Sequence, residues 1–239
     1  MPDDIVCIIP ARSGSKGIPG KNLVDFAGQP LLAWSIMAAK NSGAVDRVIV
    51  STDDAAMAAV AREAGAETPF LRPPELARDD VHSVHVVLHA LDWLESSGAD
   101  LPRGVMMLLP TSPLRTAQDV HLAVSMFLEQ DAVSVVSVCD LGKYMTNLRN
   151  LNGDRLEYVA PEVDRNAQRQ GMKMLYGVNG SIFLAKPELL RKHGTFHMEG
   201  ALGYVMDPLR SIDINSPEDL LLAHRLHEAM AQWDYTDEA

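Results

Sequence analysis

Residues 10–22 read Pro-Ala-Arg-Ser-Gly-Ser-Lys-Gly-Ile-Pro-Gly-Lys-Asn. Arg12, Lys16 and Lys21 supply three cations, and the first acid after them is Asp25. Gly14, Gly17 and Gly20 are interleaved with them, and backbone without a Cβ lets N–H groups approach a ligand closely. Successive N–H groups in such a loop form a nest for an anion, and fixed cations beside it stabilise charge developing on a departing phosphate. The spacing is not that of the familiar nucleotide loops. G-x-x-G-x-x-G differs from the dinucleotide fingerprint, position 15 is Ser where a Walker A loop needs Gly, and Lys21 is followed by Asn22. The competing reading is a solvated basic loop; cations and glycines interleaved directly after an apolar run favour a phosphate site.

A second constellation is Asp213-Ile214-Asn215. Residues i and i+2 of a strand share a face, so the two side chains can converge on one hard cation. Asp213 brings charge and is the stronger metal candidate, whereas the Asn215 amide oxygen is a weaker ligand. Other groupings carry less. His82, His85 and His89 share a helical face, but no Cys or carboxylate completes a zinc set, and a solvated or interface-facing stripe explains them. Met106 and Met107 suit strand packing. G-x-S-x-G and H-E-x-x-H are absent, which leaves those hydrolase mechanisms unsupported.

The elements that must position these residues alternate. Ile5–Ile9 is a continuous apolar run closed by Pro10, as suits a strand covered on both faces. Helix 30–37, strand 47–51, helix 54–64 (stopped by Gly65), helix 83–95, strand 105–109, helix 116–130 and strand 133–138 follow. Thr116 and Asp119 read as a capping box, and Ser216-Pro217 as the start of the last helix. Such alternation predicts an α/β fold with a mostly parallel Rossmann-like sheet flanked by helices. The phosphate loop then lies where ligands bind, at the carboxyl end of a strand. Between about 140 and 177 the chain turns polar and irregular before a strand resumes at 178–185, which reads as a segment inserted into a single domain of residues 1–239, either a lid or a dimerisation arm. Ser211–Ile214 reads as a short last strand.

With 47% hydrophobic and 22% charged residues in 239, the composition is that of an ordinary globular domain and excludes a disordered or repetitive chain. A net charge of −11 argues against a nucleic-acid partner and requires any anionic ligand to find a local cationic pocket. No apolar run is long enough to cross a membrane, and the start MPDDIV lacks a basic leader, so a cytoplasmic location is expected. Cys7 and Cys139 lie in apolar runs and read as buried thiols. The acidic end 234–238 reads as a frayed, solubilising tail.

PARSGSKGIPGKN closely resembles the signature of the acylneuraminate cytidylyltransferases, the CMP-sialic acid synthetases. IVSTDD (49–54), LRPPELARDD (71–80), LLPTSPLR (108–115), NGSIF (179–183) and SIDINSPEDL (211–220) agree in order. The resemblance implies a nucleotide-diphospho-sugar transferase type of fold and a homodimer. It also implies coupling of CTP to a nine-carbon 2-keto sugar acid, with Mg2+ and release of pyrophosphate. It assigns Arg12, Ser15, Lys16 and Lys21 to the phosphates, with Ala11, Asn22, Arg72 and Ser83 on the nucleotide side. Arg12, Lys16, Lys21 and Asp213 become the catalytic set, and Asp213 with Asn215 the metal pair, where the family usually has two aspartates. Thr111, Ser112, Arg169 and Asn179 fall to the acidic sugar, with Arg169 suited to pair with its carboxylate.

The sugar side departs from the pattern. Leu109 replaces the family's glutamine before Pro-Thr-Ser-Pro, Asn147 stands where a lysine is expected, and Gly177-Val178 precedes Asn-Gly where an arginine is often found. Each loss removes a hydrogen bond to the acceptor. A sister nucleotidyltransferase for another acceptor (3-deoxy-octulosonic acid, a phosphonate-type acid or a sugar phosphate) therefore stays open, as does a non-catalytic nucleotide-binding homologue.

Overall fold

A computed structural model describes residues 4–144, 148–159 and 174–232 of the chain. Its centre is a six-stranded sheet of β1 (Ile5–Pro10), β4 (Arg47–Ser51), β5 (Gly104–Leu108), β6 (Ser134–Tyr144), β9 (Met174–Ala185) and β10 (Leu202–Met206). The spatial order is β10-β6-β9-β5-β1-β4. Only β9 runs against its neighbours; β1 pairs in parallel with both β4 and β5, and β10 in parallel with β6. Two short strands, β2 (Asp25–Phe26) and β3 (Gln29–Pro30), form a hairpin after the phosphate loop. A second hairpin, β7 (Arg149–Asn152) with β8 (Arg155–Tyr158), stands apart from the sheet.

The alternation of side chains along β1 divides the core in two. Ile5, Cys7 and Ile9 face α1 (Leu31–Asn41), α2 (Ala55–Glu63) and α4 (Ala117–Glu129), packing with Leu32, Ile36, Met57, Val124 and Phe127. Val6 and Ile8 face α3 (Ser83–Ser96) and α5 (Pro187–His193), packing with Leu91, Leu94, Phe183 and Leu190. Burial on both sides explains the unbroken apolar runs, each large side chain contributing about 1.5–3 kcal/mol. Burial also pushes the Cys7 thiol up to about 12, which makes it inert packing. A third cluster, with Phe26, Leu31 and Ile214, seats α6 (Pro217–Gln232).

From β1 the chain crosses to β4 on one side and then returns past β1 to β5 on the other. That reversal opens a crevice beyond the carboxyl ends of β1 and β5, the place where open α/β sheets bind ligands.

The expected elements up to β6 are present, and the expected last strand is not. Residues 211–215 join no strand of the sheet; Ile214 N–H donates to the Thr111 carbonyl at 2.8 Å. The true edge strand is β10, nine residues upstream of Ser211 at its start. The irregular stretch after residue 140 is partly sheet, because β6 runs on to Tyr144 and β9 begins at Met174.

Asp119, on the first turn of α4, closes the capping box with Thr116 and accepts a hydrogen bond from the Tyr204 hydroxyl at 3.0 Å. It also takes both Nε and Nη2 of Arg210, at 3.2 and 3.1 Å, in a pair almost wholly withdrawn from water. This pair fastens the turn after β10 to the sheet and so fixes where residues 211–215 run. Arg210→Ala would leave the carboxylate buried without its cation and should cost about 3–5 kcal/mol in urea denaturation; a loss below ~1 kcal/mol would show that the pair does not anchor the turn.

Candidate active site

The phosphate loop leaves β1 at Pro10 and is held by its own neighbours. Ala11 is fully buried, and its N–H donates to the Ser51 carbonyl at 2.9 Å. Asn22, at the far end of the loop, donates from Nδ2 to the Arg12 carbonyl at 2.9 Å. Asp53, just past β4, accepts from Ser13 N–H at 2.9 Å and from Ser13 Oγ at 2.6 Å. Partial burial pushes the Asp53 carboxyl up, but the two Ser13 hydrogen bonds outweigh it and hold the group below its ordinary range. The loop is thus braced at both ends and clamped near its start.

Its glycines have separate reasons. A Cβ on Gly17 would lie 2.1 Å from the Asn215 carbonyl oxygen, so only glycine lets the loop press against the 211–215 segment. Gly20 has φ +63°, the left-handed turn into the short 3-10 helix Lys21–Leu23. Gly14 has open space and lines the cleft.

The cleft has a volume of about 310 Å3, within the usual size of a small-molecule site. Arg12, Ser15, Lys21 and Asn22 line it from the loop, Arg72 and Ser83 from one flank, Thr111, Asp213 and Asn215 from the other. Arg72 is only 5% exposed. Its backbone N–H donates to Thr52 and its guanidinium to the side chain and carbonyl of Ser51, which pins it across the end of β4. Burial pushes it down to about 10, with Asp53 opposing and Arg12 assisting, and it remains cationic at neutral pH. Ser83 is the first residue of α3, a 14-residue helix whose amino end therefore opens on the cleft.

Lys21 donates from Nζ to the Ile214 carbonyl at 2.8 Å, joining the loop to the opposite wall. Burial lowers its ammonium below the ordinary lysine value, Asp213 opposes this, and Arg12 adds to it. Asp213 and Asn215 do lie side by side: Asn215 Nδ2 donates to Asp213 Oδ2 at 2.8 Å. Asp213 Oδ1 is buried without a hydrogen-bond partner, as a carboxylate oxygen reserved for a cation would be. Among the described residues no cluster of three or more His, Cys, Asp or Glu is placed to hold a metal. The orphaned Asp213 oxygen beside the Asn215 amide is a donor set that Mg2+ would fit, since that ion takes one or two protein oxygens and completes its shell with phosphates and water.

Other sequence-derived candidates lie elsewhere. Lys16 is outside the cleft lining, with its side chain 80% exposed and its Nζ 2.9 Å from Asp79. Ser112 is buried in the turn after β5 and does not line the cleft. Asn179 accepts from Ser137 Oγ at 2.5 Å and donates to Ser211 Oγ at 2.9 Å, tying β6 and β9 to the 211–215 segment from within. Arg169 and Asn147 fall outside the described residues. The structure adds Asp53, Arg78 and Asp79, none of which sequence reasoning singled out; their only signal was membership of the STDD and LARDD motifs. It also gives Arg115 of LLPTSPLR an internal role: it is fully buried and donates to the Ser181 carbonyl at 2.7 Å and to Ser35 Oγ at 2.6 Å.

The comparisons with known proteins agree with this geometry. The family profile described as cytidylyltransferase matches residues 6–229. The CMP-N,N'-diacetyllegionaminic acid synthase of Legionella pneumophila is 33% identical over 94% of this chain and 96% of its own. An N-acylneuraminate cytidylyltransferase of Escherichia coli is 36% identical over 93% of this chain, which spans about half the length of that relative (52%). Among solved structures, CMP:2-keto-3-deoxy-manno-octonic acid synthetase complexed with CTP superposes with a TM-score of 0.69 at 17% identity, covering 96% of this chain and 99% of the other. At that identity the likeness speaks for the fold alone, a mostly parallel sheet flanked by helices. On the profile match and the relatives above 30% identity, this chain belongs to the cytidylyltransferase family, the nucleotidyltransferases that its phosphate loop led us to expect.

Proposed function

We propose that the chain couples CTP to an acidic 2-keto sugar of the nonulosonic class, giving the CMP-sugar and pyrophosphate. One observation carries the reading: Arg12, Lys21 and Arg72 converge with Asp213 on a single cleft at the switch point of the sheet. The acceptor's anomeric hydroxyl attacks the α-phosphorus and the bond to the β-phosphate oxygen breaks. Negative charge then grows on the leaving pyrophosphate, where Arg12, Lys21 and loop N–H groups are already fixed. Arg72 and Ser83 hold the nucleoside side, and Thr111 stands opposite the loop. Asp213, with Asn215 beside it, would hold Mg2+, which when bound neutralises phosphate charge; Asn215 adds an oxygen without adding charge. Arg169 is assigned to the acceptor carboxylate by resemblance.

A second reading concerns the acceptor. Leu109 lines the cleft as an apolar wall, which favours an acceptor presenting an apolar group there, in a sister cytidylyltransferase.

Pyrophosphate release with Mg2+ and CTP, against N-acetylneuraminic, legionaminic, pseudaminic and 3-deoxy-octulosonic acids, tests both readings. Turnover is expected with CTP and one of the nine-carbon acids. Turnover with the octulosonic acid alone would select the sister reading, and silence with all four while CTP still binds would point to a non-catalytic homologue. Lys21→Ala should lower turnover by about 10²–10³ with the fold intact.

The extended ends of β6 and β9 and the β7–β8 hairpin are proposed as a dimerisation arm. Leu141, Leu151, Leu156, Tyr176 and Val178 are all more than 40% exposed there, a concentration of apolar surface that marks an interface. A two-stranded hairpin is also marginal in water without something to pack on. Among the described residues no helix is long and apolar enough to cross a membrane; a cytoplasmic place is proposed from the need for CTP and from two free cysteines. Light scattering should report about twice the 26.1 kDa chain mass, and a clean monomer would remove the arm assignment.

A further inference from the structure

Asp79 sits on the segment that joins Arg72 to α3, outside every role assigned so far. Its Oδ1 takes Nη1 of Arg12, and its Oδ2 is 2.9 Å from Nζ of Lys16. Arg12 Nη1 also reaches the Ala77 carbonyl on the same segment, at 3.5 Å. Two of the three cations of the phosphate loop are therefore satisfied by one carboxylate carried 67 and 63 residues further along the chain. Asp79 itself lines the cleft, and its side chain is 45% exposed, so it is not buried for packing. Lys16 and Arg12 hold its carboxyl below the usual carboxylate range, and it stays an anion throughout neutral pH. The neighbouring Asp80 pairs instead with Arg78, at 3.4 Å.

We infer that Asp79 is an internal competitor for the phosphate loop, a carboxylate lock that an incoming polyphosphate must displace. This rests on reading the loop as the triphosphate site. A carboxylate bridging a guanidinium and an ammonium occupies the positions two phosphate oxygens would take, with one negative charge instead of several. A weak, singly charged anion gains little by replacing it, whereas a triphosphate gains at every cation at once. Asp79 then sets a charge threshold for entry, and it keeps the cations paired when the cleft is empty. The sign is the opposite of that for a ligand-contacting residue: removing the charge strengthens binding.

The test is titration calorimetry of the intact chain with pyrophosphate, without added metal, at low salt. Asp79→Asn should bind about three- to tenfold more tightly than the parent, the scale expected for two exposed ion pairs removed as competitors. Asp79→Ala should move the same way, and Asp92→Asn, whose partner Arg191 does not line the cleft, should not. The gain should vanish at ~1 M salt, where the Debye length is about 3 Å. In turnover, KM for CTP should fall. Unchanged or weaker pyrophosphate binding in Asp79→Asn overturns the lock, as does a collapse of kcat with KM unmoved. If the parent binds pyrophosphate, loses it on Lys21→Ala, and is indifferent to Asp79→Asn, the loop reading stands and the lock falls. If neither the parent nor any variant binds pyrophosphate, both fall together.

Discussion

Three cations crowded at the carboxyl ends of two adjacent strands repel one another, and the site is organised around that repulsion. Arg12 lowers the affinity of both Lys21 and Arg72 for their protons. Each cation is answered by a carboxylate from a distant part of the chain: Asp79 at Arg12, Asp213 near Lys21, Asp53 near Arg72. Asp53 does double duty, since it also clamps the loop through Ser13. The acidic excess of the whole chain is thus reversed locally by position, not by composition.

That arrangement depends on the sheet. β1 and β4 deliver the loop and Ser51 in register, Pro10 opposite Ser51, so that the Ser51 carbonyl can hold both Ala11 and Arg72. The far wall is more indirect. Residues 211–215 belong to no strand, and their path follows from the buried Asp119–Arg210 pair, the Asn179–Ser211 hydrogen bond and the contact of Ile214 with Thr111. All three anchors are polar and the Asp119–Arg210 pair is buried, so the Asp213 side of the cleft is sensitive to the loss of a single partner.

Much of this was legible in the sequence. Continuous apolar runs identified β1, β4 and β5 because both faces of the sheet are covered, and the Thr116–Asp119 capping box and the Ser216-Pro217 start marked two helix beginnings that the structure reproduces. β10 escaped because it is an edge strand with a glycine at its second position and Val205 half exposed, so it lacks the buried run that betrays its neighbours. Ser211–Ile214 was mistaken for a strand because its alternation of residue types carries no information on a pairing neighbour, and Ser211 closes the 3-10 turn Pro208–Arg210 instead. The phosphate loop was readable because its chemistry is contiguous. Asp53 and Asp79 were not, since an isolated carboxylate does not reveal a serine partner 40 residues away or a cation 67 residues away. Ser112 and Asn179 sit in motif segments, and the structure places them inside the fold.

The three loop glycines bound sequence drift in three different ways. Position 17 is closed by a neighbour, since any larger residue meets the Asn215 carbonyl, and position 20 is closed by a backbone angle. Position 14 is closed by nothing in the protein itself. Across a lineage, residue 17 would therefore change only together with the segment it touches, whereas residue 14 answers solely to whatever occupies the cleft. A catalogue of what is tolerated at 14 would be an imprint of the bound nucleotide, taken without ever seeing it.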